Sequence, residues 1–427
     1  MQRKNLATMN PKINVYVDRS YKQSIPDGLN ELIAKHVNIL DQDRTRIAFC
    51  GFVINGDEIN VFMPRGTDIN SASTSPYVKA KILFKCLTKY CRTNESFLQR
   101  EGKSTVVGNP QILPLITEII EDYNQYGLYT SDNFYYRKGF QGKTNWKKTV
   151  GSVIPHIDGD EIIYPQLVNR FNNPYYSNEI TKIHASAISM IIKKFGWLLS
   201  KNELNHFKAD SIKRNNLSDI RLINNELVNI YSDSKIHTLK ILLRFLESDL
   251  SNGQRDSLSY GFSDFQYVWE HMLRHALSPA HVFNDMPSPA YLNKGGIEFR
   301  KEQKGQRIDL FLYDAITKKA CVIDAKYYDA SSTDRAPGWP DLVKQFFYAK
   351  SLTAGSLKNE VNTVANYFIF PGESIETSPA SAYVIDSSGR LDHEFPPIQC
   401  LLINPELIIN SYISNKPITD LREQLFS

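Results

Sequence analysis

What the chain lacks narrows the field first. Its 427 residues include five cysteines, Cys50, Cys86, Cys91, Cys321 and Cys400. The number is odd and the spacing scattered, which suits neither a zinc ribbon nor a disulfide framework, so they read as reduced core thiols. No apolar run approaches the roughly eighteen residues of a membrane span. The opening "MQRKNLATMNPKINVY" has no apolar stretch able to serve as a signal peptide. The expected setting is the cytoplasm, with no membrane partner. No repeat and no long low-complexity stretch is present. Nor is there a large excess of one charge: 50 Lys and Arg against 46 Asp and Glu leave a net charge of +4. That balance is compatible with a polyanionic partner without requiring one. There is no G-x-x-x-x-G-K-[ST] phosphate loop either, because "GFQGKT" is too short and its Gly142-Lys143-Thr144 is a decoy.

What is present points to two or three domains, since so long a chain exceeds one ordinary core. Residues 1–120 hold "DGLNELIAKHVNIL", of helical spacing, and "TRIAFCGFVINGDEINVFMPRG". The latter reads as two strands joined at Asn55-Gly56, a strong hairpin signal. "SPYVKAKILFKCLTKYCRT" and "NPQILPLITEIIEDYNQYG" follow with helical periodicity. Residues 121–253 are mixed and mainly helical, ending at the flexible Ser251-Asn252-Gly253. From residue 254 the order is helix ("FSDFQYVWEHMLRHAL"), three strands ("GGIEFRKEQ", "RIDLFLYD", "KKACVIDAKYYD"), helix ("WPDLVKQFFYAKSL") and strand ("ANYFIFP"). The fold class expected is α/β, α+β overall, with a C-terminal α-β-β-β-α-β core behind an N-terminal β-containing region and a helical middle.

In "ACVIDAKYYD" a buried-strand pattern ends in opposite charges. Alternate strand residues share a face, which puts Asp324 and Lys326 together. Asp309 in "RIDLFLYD" lies opposite the apolar face of Ile308, Leu310 and Leu312. If the two strands pair through "DAITKKA", Asp309 approaches Asp324, and two carboxylates so placed repel unless a cation joins them. Oxygen ligands point to Mg²⁺ rather than zinc. A lysine beside that ion can orient or help deprotonate a water, which suits phosphodiester hydrolysis. A salt bridge would explain Asp-x-Lys alone; the earlier aspartate and the order of elements favour a site.

These residues resemble the PD-(D/E)XK nuclease superfamily: Asp309, fourteen intervening residues, then "DAK" at 324–326 after "CVI". The resemblance implies Asp309 and Asp324 as Mg²⁺ ligands with the Ala325 carbonyl, and Lys326 acting on the attacking water. It implies Glu270 on the first helix as an auxiliary ligand or water-positioning carboxylate. It also implies Gln345, with Tyr348 nearby, as a residue orienting the lysine or a phosphate. "WEHML", "VIDAKYY" and "VKQFFYAKSL" further resemble McrC-type nuclease subunits, and "NGDEINVFMPRG" with "GKTNWKKTV" resembles the LlaJI-type restriction endonuclease family. That likeness implies cleavage of double-stranded DNA within a restriction system together with a McrB-like AAA+ GTPase, on which the N-terminal region would dock. A stand-alone type II-like endonuclease is the alternative, and a non-catalytic DNA- or partner-binding subunit with a degenerate site is a third reading.

Three other features were weighed. His271, His275 and His281 lack the H-E-x-x-H order of a zinc site and read as exposed residues near DNA phosphates. "RKEQKGQR" offers Arg300, Lys301, Lys304 and Arg307 as phosphate contacts. "YYRKGFQGKTNWKK" interleaves aromatics with Arg137, Lys138, Lys143, Lys147 and Lys148, either a solvated loop or a surface for phosphates or an acidic partner.

Overall fold

A computed structural model describes residues 11–29, 45–56, 58–70, 74–94, 106–108, 111–130, 134–172, 179–198, 216–248, 257–283, 286–288, 290–296, 298–300, 307–354 and 360–427. The chain forms two compact units. The middle unit spans Leu115–Arg255, and the composite unit joins Pro11–Pro114 to Asp256–Ser427.

The composite unit begins with β1 (Lys12–Val17), β2 (Cys50–Asn55) and β3 (Glu58–Met63). β2 and β3 form the expected hairpin, with Gly56 at φ +56° following Asn55, a conformation that favours glycine. α1 (Pro76–Thr93) starts where the sequence suggests, at Ser75, whose side chain accepts from the Val78 N–H, with Pro76 in the first turn. β4 (Val106–Val107) is short. The segment 27–40, expected to be helical, falls largely outside the described residues.

The middle unit takes α2 (Ile112–Tyr126) from Leu115 onward. It continues with β5 (Phe134–Gly139), β6 (Lys143–Thr144), α3 (Trp146–Ser152), β7 (His156–Asp158), β8 (Glu161–Ile163) and β9 (Leu167–Asn172). Then come α4 (Glu179–Phe195), α5 (Asn216–Asn229) and α6 (Asp233–Leu246). β5, β9 and β6 make a three-stranded antiparallel sheet in that order, and β7 and β8 make a separate ribbon. "EIIYPQLVNRF", which reads as one strand, is two, β8 and β9, interrupted before Leu167 where proline cannot donate to a ladder. The Lys143-Thr144 decoy sits on a strand, not at the start of a helix as a phosphate loop requires.

The chain returns to the composite unit with β10 (Ser257–Phe262), which pairs with β2 and β4 and completes a sheet of order β1-β3-β2-β10-β4. Gly51 and Gly261 face each other in that pairing so closely that a Cβ on either would strike the opposing backbone. α7 (Gln266–Ala276) buries Val268, Trp269, Met272, Leu273 and Ala276 at i, i+1, i+4, i+5, i+8 spacing. β11 (His281–Phe283), β12 (Ala290–Leu292), β13 (Glu298–Arg300), β14 (Ile308–Asp314) and β15 (Lys319–Ala325) follow. After them come α8 (Trp339–Ala354), β16 (Thr363–Pro371), β17 (Ser381–Ala382), β18 (Ile398–Ile403), α9 (Pro405–Ser414) and α10 (Thr419–Phe426).

The second sheet has the order β11-β14-β15-β16-β18-β17. β14 and β15 are an antiparallel hairpin, while β15, β16 and β18 run parallel, α8 providing the first crossover. Layers on both faces explain why "ACVI" of β15 is wholly buried rather than alternating. The structure differs from the sequence reading in one strand. "GIEFR" pairs only with β12 in a detached hairpin, and β11 is the partner of β14. Three residues of strand are too few to be distinguished from loop by periodicity. The chain is thus α+β overall. Among the described residues no helix is long and apolar enough to cross a membrane.

Candidate active site

The site grows out of the β14–β15 ladder. Leu310 opposes Ile323 and Phe311 opposes Val322. One step further, the same register sets Asp309 against Asp324. Directly opposed like charges destabilise a sheet, and these two are also removed from water, Asp324 being only 4% exposed. Burial first, then the charges of Asp324 and Glu270, push the Asp309 carboxyl up to about 7, with Lys344 acting in the opposite direction. Leaving two ionised acids so placed is costly, and a proton or a cation must relieve them.

Lys326, one face-step beyond Asp324, reaches back to the Asp324 Oδ2 at 3.0 Å and donates to the Asp341 Oδ1 at 2.6 Å. Its backbone N–H donates to the Ile369 carbonyl at 3.0 Å, extending β15 into its parallel neighbour. A salt bridge at Lys326 is present, but within β15 and to α8 rather than across the β14–β15 ladder. It does not account for Asp309, which would be better replaced by an apolar residue if packing were all that mattered.

Glu270 comes from α7. Its Oε1 lies 2.5 Å from the Arg274 Nη2, one turn on, and 3.5 Å from the Arg307 Nη2. Arg274 also donates to the Asp309 carbonyl at 3.3 Å, tying the helix to β14. Gln345, on α8, is 0% exposed, and among the described residues neither end of its amide has a hydrogen-bond partner. An unpaired buried amide costs about 1–3 kcal/mol. The preceding Lys344 places its amine 4.0 Å from the Asp324 Oδ2. Tyr348 is buried and donates to the Arg307 carbonyl at 3.0 Å, bracing the start of β14.

Asp309, Asp324, Lys326 and Glu270 are thus brought together by direct contact or charge, with Gln345 beside Lys344 on the helix that covers them. Ala325 ends β15 between the two charged residues. Of the proposed phosphate contacts, Arg307 is exposed and engages Glu270, Arg300 lies on β13, and Lys301 and Lys304 fall outside the described residues. Sequence reasoning missed Arg274, Asp341 and Lys344. Lys344 and Asp341 had one available signal: both flank Gln345 on "WPDLVKQ", Lys344 directly and Asp341 one helical turn earlier.

It also missed a brace from the first sheet of the same unit. The hydroxyl of buried Tyr327, next to Lys326, accepts the Arg65 N–H at 2.9 Å and lies beside the buried Asp18. Asp18 in turn accepts the Phe49 N–H at 2.9 Å. Burial raises the Asp18 carboxyl to about 6 against the pull of Arg19. Arg65 also lies 3.6 Å from Asp329. Tyr327 and Asp329, just after the lysine, are therefore held by a residue some 260 positions away, as the Arg65–Tyr327 separation of 262 shows.

Among the described residues no three His, Cys, Asp or Glu side chains form a metal-binding cluster by themselves. Mg²⁺ needs only one or two protein carboxylates, water and substrate phosphate supplying the rest. The donor set of Asp309 and Asp324 is all oxygen, with the Asp324 Oδ2 met by the Lys326 and Lys344 amines, and that chemistry fits such an ion. The histidine expectation is corrected for His271, while His275 and His281 are exposed as expected. His271 packs edge-on against Tyr90 and Tyr412, and burial lowers it to about 4, so it is a neutral packing residue and not a phosphate contact. The five cysteines are all buried and unpaired.

Comparison with known proteins adds a family. Residues 49–389 match the LlaJI restriction endonuclease family, a span that includes every site residue above except Asp18. The chain is similar to the type II restriction enzyme BsuMI component YdjA of Bacillus subtilis (strain 168). The two are 26% identical over 411 residues, covering 91% of this chain and 86% of the relative. No solved structure matches.

Proposed function

The chain belongs to the LlaJI restriction endonuclease family, and from that premise we propose that it is the nuclease subunit of a cytoplasmic restriction system, hydrolysing phosphodiesters of double-stranded DNA. The observation that carries this reading is the buried, register-matched pair Asp309 and Asp324 with Lys326 beside it. The order α7, β11, β14, β15, α8, β16, interrupted by the β12–β13 hairpin, supports a PD-(D/E)XK core.

In this reading Asp309 and Asp324 hold Mg²⁺ with the Ala325 carbonyl, and Glu270 serves as an auxiliary carboxylate. The ion, when bound, polarises the phosphoryl oxygen and lowers the pKa of water. Lys326 is already charge-poised between two acids. Once the pair is neutralised, its amine is released to orient the attacking water and to offset charge on the phosphorane. Asp341 keeps that amine in place, and Lys344 supplies a second cation on the same side. Gln345, which lacks a partner among the described residues, is available to Lys326 or to a phosphate oxygen. Glu270 is held by Arg274 and Arg307, which keeps a third carboxylate near the pair without adding an unpaired charge.

A partner is part of the proposal. The similar BsuMI protein is one component of its enzyme, and this sequence has no phosphate loop of its own, which supports a separate AAA+ GTPase. Supercoiled plasmid incubated with Mg²⁺, with and without GTP and the partner, is the test. Nicking or cutting by the wild type and none by Asp324→Ala is expected. Equal cleavage by both chains overturns the site, and cutting by the purified chain alone without GTP overturns the partner.

A further inference from the structure

The nuclease site leaves one motif unused, the aromatic and basic stretch of the middle unit. From Phe134 to His156 the sequence holds five Lys or Arg, five Phe, Tyr or Trp, and no acid. The fold sorts these residues. In the β5-β9-β6 sheet Tyr136 opposes Arg170, and Arg170 opposes Lys143 on its other side. The three therefore lie abreast on one face, with Lys138 two residues further along β5 on that same face. α3 lies against β9, where the Thr149 hydroxyl accepts the Val168 N–H at 3.0 Å. From α3 Lys148 extends its amine over the Tyr136 ring, 3.5 Å from the centroid. The opposite face is apolar by comparison, with Tyr135 stacked on Phe171 at 5.4 Å.

This arrangement is costly for the protein alone. Lys143 directly opposes Arg170 across a ladder, a like-charge pair that destabilises the sheet, and Lys148 adds a third cation above the neighbouring ring. Lys138, Lys143 and Lys148 are exposed, and none has an acidic partner among the described residues. Phe140, 74% exposed, and Trp146, 59% exposed, rim the same segment. The adjacent β7–β8 ribbon does not share the character: its tip carries Asp158, Asp160 and Glu161, which a polyanion would repel. The exposed cations Lys138, Lys143, Lys148 and Arg170 thus gather on one sheet face and the start of α3, while Arg137 projects from the other face.

We propose that this face, Lys138, Lys143, Lys148 and Arg170 around Tyr136, binds the sugar-phosphate backbone of duplex DNA without reading sequence. It rests on the nuclease reading only in taking DNA as the substrate class. A row of phosphates neutralises several crowded cations at once, which one carboxylate of a folded partner cannot do. Such contacts position a duplex and carry affinity; they do not specify a base.

The test measures binding of the full-length chain to a fluorescent duplex of several helical turns, by anisotropy in EDTA across a KCl series. Cleavage is thereby excluded. Lys143→Glu/Lys148→Glu is expected to weaken binding at least about tenfold and to make the dependence of log K on log salt shallower by about two. Lys143→Arg/Lys148→Arg should keep both, and the glutamate variant should stay folded at the assay temperature, since its changes are exposed and Lys143→Glu removes a like-charge pair. Unchanged affinity and slope in the glutamate variant overturn the face as a DNA surface. So does a wild type that fails to bind duplex but loses capture of an acidic protein component on the same substitution. The two readings fail separately: plasmid cleavage by Asp324→Ala bears on the nuclease site alone, and duplex binding in EDTA by the glutamate variant bears on this face alone.

Discussion

Asp309 and Asp324 oppose each other across a ladder of the composite unit, and Lys143 and Arg170 oppose each other across a ladder of the middle unit. The two pairs have opposite sign and opposite solvation. Asp324 is buried and Asp309 half-buried, and burial first, then the charges of Asp324 and Glu270, drive the Asp309 carboxyl up to about 7. The cations stand at the surface, where water and salt screen them within about 10 Å at ordinary ionic strength. Burial leaves the first pair in need of a proton or a compact cation to relieve it. Exposure leaves the second suited to an extended polyanion and sensitive to salt. The contrast also marks how each is built: the acid pair is enclosed by α7, α8 and cations placed one by one, whereas the basic face depends on a single small sheet.

The largest effect should come from removing one acid. Asp324→Ala is expected to lower plasmid cleavage by at least about a thousandfold, equivalent to about 4 kcal/mol of barrier; retention of more than a few per cent of the rate would undo the comparison. Next comes pH. The metal-free folded chain holds a proton at Asp309 that the unfolded chain has released. That contribution to stability is complete below about pH 4 and is lost as pH rises through about 7. In EDTA the melting temperature should therefore decline over that window more in wild type than in Asp309→Asn. Mg²⁺ should raise it more at about pH 8 than at about pH 6, because the ion replaces the proton. A Mg²⁺ shift independent of pH would count against the pair as ligands.

Tyr327→Phe sharpens the role of the brace. Loss of its hydroxyl leaves the Arg65 N–H and Asp18 less well satisfied, at a cost of about 1–3 kcal/mol in urea denaturation. Asp18→Asn/Tyr327→Phe should cost less than the sum of the single changes, as expected of one network. A smaller effect of opposite sign is expected at Gln345. Replacing the unpartnered amide with Met should leave the metal-free chain unchanged or more stable by about 1 kcal/mol while reducing cleavage. The smallest lies in the other unit, where Ile157→Ala on the exposed ribbon should change stability by less than about 0.5 kcal/mol.

Much of this was legible before any coordinates. α1 announced itself by Ser75 and Pro76, β2–β3 by Asn55-Gly56, and β14–β15 by two apolar runs joined through a short polar turn. Asp309, Asp324 and Lys326 were visible because a charge is conspicuous where a core strand should continue. His271 misled, since a histidine on a helix looks the same in sequence whether it faces phosphates or two tyrosines.

The sequence by itself determined the local periods, the turn chemistry and which strands carried misplaced charge, because each is decided by neighbours within a few residues. Only the tertiary structure decided that β11 rather than β13 flanks β14, and that β10 closes a sheet begun two hundred residues earlier. It also decided that Asp18 and Arg65 hold Tyr327, the residue after Lys326, and that Tyr136, Arg170 and Lys143 stand in one row. Strand pairing and buried polar contact depend on which distant segments satisfy each other's backbone and charge, and no local pattern encodes that choice.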